Sequence, residues 1–192
     1  MIITIANGKG GVGKTTLAVL LASALKRCDV KVSLSDRDPQ GTASAAADSF
    51  GVELGEEGDV VVVDTAPWLD HEPTQAGIRE ADKVIVVTAP SPNDFHSTIR
   101  SIKRIGDIRG GREGVFCVFN FIRQTALSRD RENLVEDFGC PVIERFLRLR
   151  AAYPNAMMHG WKSLPRVAQD EVKDLAVAIL SVQNKSKPTN QP

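Results

Sequence analysis

Nine consecutive residues near the start of the chain carry its most specific chemistry. Gly8-Lys9-Gly10-Gly11-Val12-Gly13-Lys14-Thr15-Thr16 fits the spacing G-x-x-x-x-G-K-[ST]. Glycines let backbone N–H groups turn toward phosphate oxygens with no Cβ in the way. Gly10, Gly11, Val12 and Gly13 would form that cradle. Lys14 would place an ammonium on the outer phosphates, and Thr15 and Thr16 would open the following helix. The Thr15 hydroxyl suits direct ligation of Mg²⁺, a hard cation that retains several waters. Such a site needs a second acid. Val60-Val61-Val62-Val63-Asp64, an apolar run ending in Asp, supplies it.

These residues must be held by a scaffold, and the sequence indicates which one. Short β-rich runs alternate with helical patterns throughout. Strands are expected at 2–6, 30–35, 60–63, 84–87 and 115–121, and helices at 15–27, 74–81, 94–108, 129–138 and 166–182. Strands apolar on both faces and separated by helices imply an α/β fold: a mostly parallel, doubly wound sheet with helices on each side. Nucleotide is then expected at the carboxyl ends of the strands. One P-loop domain is expected over 1–183, followed by a polar, flexible tail over 184–192, NKSKPTNQP.

Composition narrows the function. With 192 residues, 42% hydrophobic and 25% charged, the chain can bury a real core. Its 24 basic and 24 acidic residues cancel, which argues against a uniformly basic nucleic-acid binder. The charges are segregated, however: residues 48–82 hold ten acids and one base, and residues 83–166 hold fourteen bases and eight acids. A local basic face remains open beside the simpler reading of a solvated surface. Cys28, Cys117 and Cys140 are odd in number, lack metal-ligand spacing and read as reduced, buried or structural thiols. No apolar run approaches the roughly 20 residues of a membrane span. The start lacks a basic, then apolar, leader pattern, so a cytoplasmic protein is expected.

Lys9 is not required by an ordinary phosphate loop. Lys9 to Thr16, KGGVGKTT, resembles the deviant Walker A box of the ParA/MinD superfamily. Three further segments are similar to that superfamily in the right order: Asp36-Arg37-Asp38-Pro39-Gln40-Gly41, Asp64-Thr65-Ala66-Pro67, and Thr88 to Phe95. The last is close to small plasmid-partition ParA proteins. The resemblance covers about residues 7–95 and is loose beyond 120. It implies a slow, partner-stimulated, Mg²⁺-dependent ATPase, with ATP and Mg²⁺ as its ligands. ATP would join two copies in a nucleotide-sandwich homodimer, with Lys9 reaching across to the partner's phosphates. The dimer would bind nonspecific DNA, associate with the nucleoid and meet a ParB-like or adaptor protein. The expected outcome is partition or positioning of a plasmid, chromosome region or protein assembly.

The resemblance also assigns roles residue by residue. Lys9, Lys14 and Asp38 would be catalytic, with Asp38 orienting the attacking water. Asp36 and Asp64 would hold the metal through water. Asn120, at a strand end, would read the adenine edge or serve as an ordinary turn residue. The basic face would come from Arg145, Arg148, Arg150, Lys162 and Arg166, or from Arg100, Lys103 and Arg104 with Arg109 and Arg112 beyond. Trp68 would lie in a moving switch, in the dimer face or in the core. The match is not complete. Arg37 stands where the superfamily usually has an apolar or small residue. Only about nineteen residues separate Gln40 from the Val60 strand, so a minimal member without autoregulatory DNA binding is expected. The alternative is a MinD-like or regulatory switch that acts on a protein or membrane and not on DNA.

Overall fold

A computed structural model describes residues 1–122 and 136–183. Seven parallel strands form one sheet: β1 (Ile2–Ala6), β2 (Val32–Arg37), β3 (Glu53–Leu54), β4 (Val60–Thr65), β5 (Lys83–Thr88), β6 (Val115–Phe119) and β7 (Val142–Ile143). Their order is β3-β2-β4-β1-β5-β6-β7. The central strand, β1, has β4 on one side and β5 on the other. The connection from β1 runs to β2 on one side and that from β5 runs to β6 on the other, so a crevice opens beyond the carboxyl ends of β1 and β5. The phosphate-loop residues lie there.

Six helices accompany the described strands: α1 (Lys14–Lys26), α2 (Thr42–Phe50), α3 (Glu72–Glu80), α4 (Pro92–Arg109), α5 (Ala152–His159) and α6 (Arg166–Ser181). Alternation along each strand divides the core in two. Ile3, Ile5, Ile85, Val87, Phe116 and Val118 face α1, α2 and α6. Val84, Val86, Val115, Cys117 and Phe119 face α3 and α4, where Ile78, Ile102 and Ile105 complete the packing. The α/β, doubly wound expectation holds. Among the described residues no helix is long and apolar enough to cross a membrane.

Several elements differ from the sequence reading. The second strand is shifted by two residues and includes Asp36 and Arg37. The α2 segment, TASAAADSF, went unread because its core-facing residues are mostly small alanines with little helical periodicity. The two-residue strands β3 and β7 are too short to leave a pattern. Of the helix expected over 129–138, only Glu136–Phe138 is described, and it is a 3₁₀ turn. The tail at 184–192 lies outside the described residues. Cys28 is exposed, which corrects its reading as a buried thiol; Cys117 is buried and Cys140 half-buried.

Candidate nucleotide-binding site

The phosphate loop owes its shape to glycine where shape matters most. Gly13 has φ +90°, and a Cβ there would sit 2.3 Å from Asn120 Nδ2 and 2.6 Å from the Phe121 ring. It is also the N-cap of α1, with no side chain bonded to the helix end and no acid in the first turn. The first-turn N–H groups are therefore left for an anion, and the helix dipole favours one there. By contrast, α4 begins with Ser91, whose hydroxyl accepts from the Asp94 N–H, and Asp94 lies in its first turn. One helix start is sealed by its own residues and the other is open.

A buried polar network fixes the loop's entry. Asn7 is fully buried and donates to the Val87 carbonyl at 2.6 Å. Its Oδ1 accepts from the Lys9 N–H at 2.9 Å and from the Ser101 hydroxyl at 2.8 Å. Ser101 also accepts the Gly8 N–H at 3.0 Å. These contacts tie the loop to β5 and α4. Sequence reasoning assigned nothing to Asn7 or Ser101. They are 94 positions apart, and neither residue type is distinctive alone.

The charged residues converge behind the loop. Lys14 is 6% exposed, and its ammonium donates to the Lys9 carbonyl at 3.1 Å. Burial lowers its pKa, while Asp64 and Asp38 raise it, so both carboxylates lie near it. Asp64 pairs in register with Asp36 of β2. Asp64 is fully buried, and neither of its carboxylate oxygens has a hydrogen-bond partner among the described residues. Burial pushes its pKa up to about 7. Nearby Asp36 pushes the same way, while Thr15, Lys14 and Thr65 pull down without completing a hydrogen bond to it. A buried, unpartnered carboxylate beside a threonine hydroxyl and a second acid fits a divalent cation, which would hold the acid ionised.

Asp36 is already occupied. It accepts the Ser44 N–H at 2.7 Å, capping the first turn of α2, and the Asp38 N–H at 3.1 Å. Asp38 accepts the Gln40 N–H at 3.0 Å, which shapes the turn around Pro39. Asp36 to Pro39 line a cleft of about 440 Å³ whose far wall is His71, Glu72 and Pro73 at the start of α3. Among the described residues no three His, Cys, Asp or Glu side chains form a closed metal cage. An Mg²⁺ sharing phosphate oxygens, one threonine and waters needs none.

Two expected site residues are engaged elsewhere in this structure. Asn120 is fully buried; it donates to the Val12 carbonyl at 3.1 Å and accepts the Phe121 N–H at 3.0 Å. These bonds support the phosphate loop from behind, and the second fits the turn reading of this residue. Lys9 forms an ion pair with Asp94 of its own chain.

Residues 3–163 match the CobQ/CobB/MinD/ParA nucleotide binding domain family. The chain belongs to this ParA/MinD family. It is 32% identical to the maintenance of carboxysome distribution protein A of Gloeobacter kilaueensis, over 83% of this chain and 82% of that protein. It is 30% identical to the protein of the same name from Halothiobacillus neapolitanus, covering 93% and 95%. The chromosome partitioning protein ParA of Caulobacter vibrioides is 33% identical, but over 55% of this chain and 43% of its own. In fold, the Aquifex aeolicus MinD cell division protein superposes with a TM-score of 0.76 at 19% identity, covering 97% and 99%.

The arginines expected from the sequence to form a basic face are divided in their contacts. Arg148 and Arg150 both reach Glu171 of α6, at 2.6 and 2.5 Å, and the Tyr153 hydroxyl donates to the same carboxylate at 2.9 Å. Burial alone would raise Glu171, but these donors hold it down at about 2. Arg145, Lys162 and Arg166 are exposed. In the other cluster, Arg109 donates to the Ile78 and Ala81 carbonyls at 2.7 and 2.8 Å, and Arg104 pairs with Asp70. Trp68 is 54% exposed just after β4, which removes the core reading.

Proposed function

We propose that the chain is a Mg²⁺-dependent ATPase that couples an ATP-held homodimer to the positioning of a large assembly on nonspecific DNA. The carrying observation is the open start of α1 beside the buried, unpartnered Asp64, with Lys14 and Thr15 between them. Phosphoryl transfer to water needs positioning and charge neutralisation more than covalent chemistry. Lys14 would neutralise charge from within the subunit. Thr15 would hold the metal, with Asp64 and Asp36 orienting its waters. Asp38 would face the attacking water from the 440 Å³ cleft, and Lys9 of the partner subunit would add charge across the dimer.

A protein assembly is favoured as cargo over a plasmid. The chain spans most of the length of two relatives named for carboxysome distribution, but under half of the Caulobacter ParA. DNA contact would fall to Arg145, Lys162 and Arg166, because Arg148 and Arg150 are already shared with Glu171. A ParB-like or adaptor protein would trigger hydrolysis and release, and the ATP-bound dimer would associate with the nucleoid.

Sedimentation should show a dimer with ATP and a monomer with ADP, and Lys9→Ala should weaken the dimer. Fluorescence anisotropy with random duplex DNA should show ATP-dependent binding that falls steeply with salt. Charge reversal at Arg145 and Arg166 should weaken it. If the ATP dimer ignores DNA even at low salt, the MinD-like switch on a protein or membrane replaces the DNA reading.

A further inference from the structure

Arg37 ends β2 between Asp36 and Asp38. Alternation along the strand sends its side chain to the face opposite Asp36: Asp36 caps α2, while Arg37 lies over Gly77 of α3. A Cβ on Gly77 would sit 3.5 Å from Arg37 Nη1 and 3.6 Å from Cδ. The guanidinium uses Nη2 to reach Glu80, at the end of α3, at 2.8 Å, and Glu56, between β3 and β4, at 3.0 Å. Glu56 also accepts the Ser35 hydroxyl at 3.1 Å. The Arg37 side chain is only 15% exposed. One guanidinium thus joins β2, the β3–β4 connection and α3, with Nη2 of a permanently charged group donating to both acids.

The joint lies where the proposed chemistry needs a fixed distance. The start of α3 forms the far wall of the cleft that Asp38 lines. Arg37 anchors the other end of that helix. α3 in turn follows the segment leaving Asp64, so a shift at the metal side of the site reaches it directly.

We infer that Arg37 is a positioning residue: it clamps α3 to the Asp36–Gly41 segment and so sets where Asp38 stands in the hydrolytic cleft. This rests on the ATPase reading proposed above. Asp38 would touch the water; Arg37 lines the same cleft but commits its guanidinium to Glu80 and Glu56. The clamp gives this chain a task for the residue at which it departs from its superfamily's usual sequence.

The test separates positioning from mere stability. Arg37→Met keeps length and packing over Gly77 but removes the guanidinium, and Arg37→Lys restores one charge. ATP affinity by calorimetry should stay within about twofold, because the phosphate cradle is elsewhere. Single-turnover hydrolysis should fall about tenfold in Arg37→Met and less in Arg37→Lys, since sub-ångström misplacement costs rate more than binding. Amide exchange at Gln40 and Gly41 should speed up in the nucleotide-free protein. Wild-type hydrolysis and wild-type exchange in a folded Arg37→Met would overturn the inference. If that variant does not fold, Glu80→Gln with Glu56→Gln loosens the same joint from exposed positions, and unchanged exchange at Gln40 and Gly41 there overturns it equally. Should the wild-type protein fail to hydrolyse ATP, the ATPase reading falls, while the exchange measurement still decides whether the clamp exists.

Discussion

The start of α1 and the start of α6 both gather charged side chains, and they treat them in opposite ways. At α1, Asp64 is buried with neither oxygen bonded, Lys14 donates to a single backbone carbonyl, and the helix end is uncapped. At α6, Glu171 accepts from Arg148, Arg150 and the Tyr153 hydroxyl. Buried polar groups are normally paired. A group left unpaired at 0% exposure is therefore held ready for something else, whereas a group bonded to three partners has completed its task within the fold. Residue type alone does not separate binding from structure in this chain, because both regions hold charges that a sequence reading marks as functional. The state of their partners does separate them.

The strongest way to break this contrast is to remove the ammonium from the open region. Lys14→Ala should weaken ATP·Mg²⁺ binding ~30-fold or more, because a desolvated charge pair loses about 2–5 kcal/mol when one member is removed. Thr15→Ala should act in the same direction through the metal. Calorimetry showing wild-type affinity in both variants would remove the phosphate-loop assignment.

Acid titration sharpens the contrast, because the two carboxyl groups are shifted in opposite directions. Asp64 is raised from 3.8 to about 7 by burial. The folded state holds its proton more tightly than the unfolded chain does, so the stability it contributes is present below pH 3.8 and is lost as pH rises toward 7. Glu171 is lowered from 4.5 to about 2 by its donors. Its contribution is present above pH 4.5 and is lost as pH falls toward 2. Denaturant melts of the nucleotide-free protein between these limits should show both slopes. Asp64→Asn should flatten the first, on the order of 2–4 kcal/mol. Glu171→Gln should flatten the second, about 1–2 kcal/mol after solvent screening. Mg²⁺ with ATP should reverse only the Asp64 slope, because a cation binds the ionised acid.

Glu171→Ala tests the other half of the comparison directly. Leaving Arg150 and Tyr153 without their acceptor should cost about 2 kcal/mol and lower the melting temperature by about 4–8 °C. ATP affinity should not change. A loss of ATP binding at constant stability would mean that the cluster communicates with the nucleotide and is not a closed structural unit.

The open region was the legible one, for a physical reason. Its geometry is local: Gly8 to Thr16 form one continuous loop that opens α1, so consecutive letters specify its shape. Asp36, Asp38 and Asp64 were legible because each ends or follows a strand of one parallel sheet, which brings them to the same end. The parts that stayed hidden are long-range. Arg150 finds Glu171 across 21 positions, Arg37 finds Glu80 across 43 and Lys9 finds Asp94 across 85. Nothing in the local pattern of an arginine reports such a partner. Five residues were therefore grouped as one basic face, although two of them share the half-buried Glu171 carboxylate. The Asn120 contact stayed hidden for the same reason: its partner, the Val12 carbonyl, lies 108 positions away.

The smallest expected effect lies on the boundary between the two behaviours. Lys9 belongs to the open loop, but its ammonium is paired with Asp94, which also bonds the Ser91 hydroxyl at the sealed start of α4. The Lys9 side chain is 36% exposed and that of Asp94 is 14% exposed, so this is a partly screened ion pair. For Lys9 to reach a second subunit the pair must open, and its strength is then charged against assembly. Asp94→Asn keeps an oxygen for Ser91 and removes the charge that holds the lysine. A partly exposed pair is worth about 0.5–1 kcal/mol, so the ATP-bound dimer should form at ~2–5-fold lower protein concentration. Sedimentation across a concentration series with a hydrolysis-resistant ATP analogue reads this shift. Asp94→Ala serves as the control, because it also strips the bonds at the start of α4 and should lower stability by about 1 kcal/mol. A weaker dimer in a stably folded Asp94→Asn would place the carboxylate on the side of assembly. Lys9 would then join Glu171's arginines as a charge whose partner is part of its working state.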